Sequence, residues 1–82
     1  MDALLNITFA GENGDLKETV DFDATDDQIR IWATEAVRAG GIPGISAHPD
    51  VDFTSFVVDR FSAKDDLPCR VVLRPKTPFG TP

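Results

Sequence analysis

Cysteine occurs once in this chain of 82 residues, at Cys69, which excludes an internal disulfide and a cysteine-built metal cluster. Histidine also occurs once, at His48. One imidazole in a loop and one thiol in an apolar strand make no Ser–His–Asp or Cys–His set, so no enzyme is expected and no cofactor either. No apolar run reaches the ~18–20 residues of a membrane helix. The first residues show neither the basic start nor the apolar core of a secretion signal. These absences read as a cytoplasmic protein in a reducing compartment. Glycine forms no phosphate-cradling motif, since Gly11 and Gly14 read as hairpin glycines. There are no internal repeats and no low-complexity segments.

Positive charge is also scarce. Eight Lys and Arg stand against fourteen Asp and Glu, a net charge of −6. That balance argues against nucleic acid, whose phosphates need neutralising. The charge is unevenly spread. Residues 1–29 hold Asp2, Glu12, Asp15, Glu18, Asp21, Asp23, Asp26 and Asp27 against Lys17 alone. Residues 69–82 hold Arg70, Arg74 and Lys76 and no acid, a polarity able to orient the domain on an acidic groove of a partner. With 41% hydrophobic residues the chain is too apolar for a disordered one. Its length suits one domain, which buries only roughly 60–65% of its unfolded surface and leaves little room for a deep substrate pocket.

Leu5, Ile7 and Phe9 alternate with Asn6, Thr8 and Ala10, the pattern of a strand with one buried face. Asn13-Gly14 is a strong hairpin signal, because both residues tolerate positive φ. A second strand is expected over Leu16–Phe22, with Leu16, Val20 and Phe22 inward and Glu18 near the sheet edge. Thr25-Asp26-Asp27-Gln28 reads as a capping box, with the two aspartates at the positive end of the helix dipole. Ile29, Trp32, Ala33, Ala36 and Val37 follow at helical spacing and read as a core stripe, with Ile31 off it. Gly40 and Gly41 stop the helix. Residues 40–49 form a loop in which His48 reads as solvated. The longest strand expected is Val51–Phe61. One of its faces carries Phe53, Val57 and Phe61, the other Phe56 and Val58, and the pattern does not decide which is buried. After a charged turn over Ser62–Pro68 comes a last strand, with Cys69, Val71 and Leu73 inward and Arg70, Val72 and Arg74 outward. Pro75 and Pro78 end regular pairing. The chain divides into one domain over residues 1–75 and an extended tail over 76–82. The fold class expected is α+β, one helix covering one face of a mixed sheet of four to five strands.

This order resembles the β-grasp fold, and local details are similar to ubiquitin. Gly41-Ile42-Pro43 is similar to the Gly-Ile-Pro after ubiquitin's helix, and Arg70-Val71-Val72-Leu73-Arg74 to its last strand, which also leads into a basic tail. The resemblance covers most of the chain, except that residues 45–68 show no counterpart to ubiquitin's short helix. It implies a monomeric ubiquitin-like module bound by other proteins, with no nucleic acid, membrane or metal involved. The outer face of the sheet would dock partners through Arg70, Val72 and Arg74, together with Phe56 and Val58, or Val57, according to which face of that strand is out. Conjugated members end in Gly-Gly, adenylated by an activating enzyme and released by an isopeptidase. This chain ends Pro78-Phe79-Gly80-Thr81-Pro82, so only Gly80 would serve, after removal of Thr81-Pro82. The resemblance admits a modifier, of a bacterial pathway for instance, a sulfur carrier working through a thiocarboxylate, or a structural domain of a larger complex. The iron–sulfur branch of the fold needs four cysteines and is excluded. Asp26/Asp27 and Asp65/Asp66 mark a helix start and a turn rather than an acid–base pair, and Asp50 and Asp52 fit no calcium-loop spacing.

Overall fold

The computed structural model describes residues 1–76. Its elements are β1 (Asp2–Phe9), β2 (Glu12–Asp15), β3 (Val20–Asp21), α1 (Asp26–Arg38), β4 (Val57–Phe61) and β5 (Arg70–Arg74). The architecture is α+β, with one helix and a mixed five-stranded sheet ordered β2-β1-β5-β4, while β3 pairs with β1. β1 is the central strand. Its second half pairs antiparallel with β2 and its start with β3, while its middle runs parallel to β5 with Leu5 beside Val71 and Ile7 beside Leu73. A parallel pair needs a long crossover, which the chain containing α1 supplies.

Strict alternation places Ala3, Leu5 and Ile7 of β1, and Val71 and Leu73 of β5 with Cys69 just before it, in the core. Ile29, Ala33 and Val37 of α1 are buried with them. The helix starts where Thr25 caps it: its hydroxyl oxygen accepts from the Gln28 N–H at 3.1 Å. It stops in a Schellman motif, with Gly40 at φ 69° donating to Val37 O and Gly41 donating to Ala36 O. Trp32, expected in the core, is half-buried at its margin, and Ile31 is exposed.

Two expected elements differ. The hairpin turn is Ala10-Gly11, both at positive φ (52° and 79°), and Asn13-Gly14 lie inside β2. Gly14 is there for close approach. A Cβ on it would collide with the Pro43 carbonyl oxygen, because the loop after α1 lies directly on β2. The Glu12 carboxylate fastens that loop by accepting from Ser46 N–H at 3.0 Å and from its hydroxyl at 3.3 Å. The strand expected over Leu16–Phe22 is strand only at Val20–Asp21, flanked by bonds from Leu16 N–H to Leu5 O and from Phe22 N–H to Met1 O.

The long strand over Val51–Phe61 is strand only from Val57. Asp52 takes the chain into a turn by accepting from both the N–H and the hydroxyl of Thr54, at 2.9 and 2.8 Å. These bonds hold its carboxyl below the usual carboxylate range. Val51 and Phe53 reach the core from this irregular segment, as do Ile42 and Ile45. Phe53 packs edge to face on both Phe9 and Phe56 there, and His48 packs edge-on against Phe9 at 4.9 Å, half-buried rather than solvated.

β4 is held to the start of α1 by Arg60. Its guanidinium donates to Asp26 Oδ1 at 2.6 Å, to Ala24 O at 2.5 Å and to Phe22 O at 3.4 Å. Arg60→Ala is expected to lower stability by about 1–2 kcal/mol in urea unfolding, less than a dry site would give because the side chain keeps 28% of its exposure and Asp26 half. Arg60→Lys keeps the charge without the fork and is expected to recover less than half of that loss.

Candidate docking face

The sheet has one face under the helix and one outward. The outward face is built in rows by the pairing register. Leu4, Arg70 and Phe61 form one row, and Asn6, Val72 and Asp59 the next, with Asp15 beside Asn6. Arg74 and Val57 pair in the row beyond.

The β5 residues singled out in the sequence lie here together. Arg70 is exposed, and Val72 and Arg74 are half-buried beside the fully buried Val71 and Leu73. Phe56 and Val58 do not join them. Both pack against the core, and the outward positions of β4 are Val57, Asp59 and Phe61. The parity left open by the pattern is settled by Arg60, whose bonds to Phe22, Ala24 and Asp26 place it, and so Val58, on the helix side. Gly80 lies outside the described residues.

Leu4 was not foreseen as an outward apolar group, and Phe61 lay on one of two faces between which the pattern did not decide. Each is 44% exposed. A signal existed for Leu4: in a one-sided strand, adjacent Leu4 and Leu5 cannot both be inside. The two arginines are held in place. Arg70 lies over the Phe61 ring with its guanidinium carbon 4.9 Å from the centroid, and Arg74 Nε donates to Asp59 Oδ2 at 2.6 Å. At the other edge, Asn6 and Asn13 exchange hydrogen bonds at 2.9 and 3.0 Å, Asn6 donates to Asp15, and Asn13 to Thr8. The face thus grades from a polar ladder at β2 to an apolar, cationic strip over β1, β5 and β4. Such a strip has no reacting group in it, but it presents apolar contacts beside oriented donors, the composition of a protein-binding patch.

No protein-family model, curated protein or solved structure matches the chain. No helix among the described residues is long and apolar enough to cross a membrane.

Proposed function

We propose that this chain is a ubiquitin-like domain of the β-grasp kind that works by being bound, with the outer face of its sheet as the docking surface. The observation that carries the reading is the exposed row Leu4–Arg70–Phe61 with Val72 in the row beside it. Large apolar side chains grouped on a free sheet face beside a fixed arginine are the feature a partner reads. The strand order, with β1 parallel to β5 at the centre and the single helix on the opposite face, suits the same fold kind. Attachment through Gly80, once Thr81-Pro82 are removed, belongs to this proposal as its covalent form.

The test uses protein recovered from the native host, with and without Val72→Asp. The substitution puts a carboxylate at a half-buried position opposite Asp59, so the variant is expected to stay folded by circular dichroism with a melting temperature lowered by roughly 5–10 °C, and binding is compared well below it. Partners recovered by the parent are expected to be lost, because the carboxylate faces any apolar anchor laid on the row. Intact-mass analysis of the same material reports the covalent form as a species ending at Gly80 or joined through it. Partners bound equally by parent and variant would end the reading.

A further inference from the structure

The helix side of the sheet edge carries a second surface of opposite charge. β2 ends at Asp15 and β3 starts only at Val20, so residues 16–19 leave the regular edge beside α1. A groove of about 450 Å³ opens between this stretch and the helix. Its apolar lining is Leu16, Val20, Trp32 and Ala36, and Glu18, Asp21 and Glu35 complete it with Thr19. No lysine or arginine lines it, and Lys17 is exposed on the same stretch but is not part of the lining. Asp21 stands 3.8 Å from the Met1 ammonium, whereas Glu18 and Glu35 make no ion pair among the described residues.

We propose that this groove docks a basic segment of another protein, one that seats a large apolar side chain on Trp32, Leu16 and Val20 and sets lysine or arginine against Glu18 and Glu35. Charge complementarity selects the occupant. An apolar floor attracts any hydrophobic side chain, but two unpaired carboxylates on its rim favour cationic flanks and turn away acidic ones. The size fits a few side chains rather than a folded domain. Trp32 supplies the broad flat contact that is most often an energetic centre of such sites. The outer sheet face carries Arg70 and Arg74, so a segment suited to the groove is repelled there, and the domain can hold two unlike partners at once. The proposal is independent of the sheet-face reading, since the two surfaces share no residue.

The probe is a random ten-residue peptide library displayed on phage and selected on the full chain. Peptides joining Lys or Arg to a large apolar residue are expected to be enriched on the parent, and not on Ala36→Arg, which fills the floor with a cation. Trp32 is the only tryptophan in the chain, so an enriched peptide made without tryptophan is expected to shift its fluorescence in a saturable way. The joint variant Glu18→Lys, Glu35→Lys is expected to weaken binding about tenfold or more, and added salt to weaken it in the parent. Val72→Asp is expected to leave the affinity within about twofold, which separates failure of this site from failure of the sheet face. Selection of nothing, of acidic or uncharged peptides, or of peptides that bind the charge-reversed variant equally would overturn the proposal. So would concentration-dependent self-association lost in Ala36→Arg, which would give the groove to a second copy of the chain.

Discussion

Leu73→Ala is expected to cost about 2–5 kcal/mol, as truncation of a fully buried leucine does when the surroundings cannot close the void. Leu73 is 0% exposed and sits in the middle of the sheet, between Ile7 on the parallel side and Val58 on the antiparallel side. β1 is fixed by its ladders to β2 and β3, and β4 by the bonds of Arg60 to the start of α1, so collapse around a deleted isobutyl group is limited. Domains of this size have little to lose, the whole free energy of unfolding being on the order of 5–15 kcal/mol. A drop of about 10 °C or more in Tm follows from the usual size scaling. Leu67→Ala is the control, since Leu67 is 57% exposed and its removal is expected to change stability by less than about 0.5 kcal/mol. Equal melting of the two variants would mean that β5 does not turn Leu73 into the core.

The elements that follow one period throughout were legible in the sequence. β1 and β5 alternate without a slip, and α1 combines a cap, a stripe and a glycine stop, each of which points to the same boundaries. The Val51–Phe61 stretch was harder because its apolar residues run on without a break while the strand starts only at Val57. The bonds from Thr54 to the Asp52 carboxylate compete locally with strand pairing, and the period restarts beyond them with its phase moved. That shift is why the pattern left Phe56 and Val58, or Val57, open for the docking face, while Leu4, in β1, is a separate case. Arg70, Val72 and Arg74 were legible because β5 has one phase. Nothing local marks the groove at Trp32, which opens where pairing with β1 is interrupted between β2 and β3, next to the stretch of β2 that the loop after α1 covers.

Gly14 tests the contact between that loop and β2. Asn13-Gly14 has the chemistry of a turn, yet the turn is made by Ala10-Gly11, and the difference lies in what each glycine touches. A Cβ on Gly11 would meet nothing within 4 Å, so Gly11→Ala is expected to cost only the strain of its positive φ, about 1–2 kcal/mol. A Cβ on Gly14 meets the Pro43 carbonyl oxygen, and it comes within 2.9 Å of Ile42 Cγ2. Backbone cannot step aside as a side chain does. The contact is tight from the other side as well, because a Cβ on Gly44, at φ 94°, would come within about 2.5 Å of the Asn13 carbonyl oxygen. Gly14→Val must therefore lift residues 42–46 from β2. That breaks the two Ser46 bonds to Glu12 and wets Ile42 and Ile45, now 2% and 6% exposed. Re-exposing even part of two isoleucines, at about 1.5–3 kcal/mol each when complete, adds to the lost bonds. A total cost of about 3–5 kcal/mol is expected, well above that of Gly11→Ala. Urea unfolding gives the two values, and hydrogen exchange at the Ser46 amide reports whether the loop has lifted. If Gly11→Ala proves the more damaging of the two, the turn and not the loop contact fixes this hairpin.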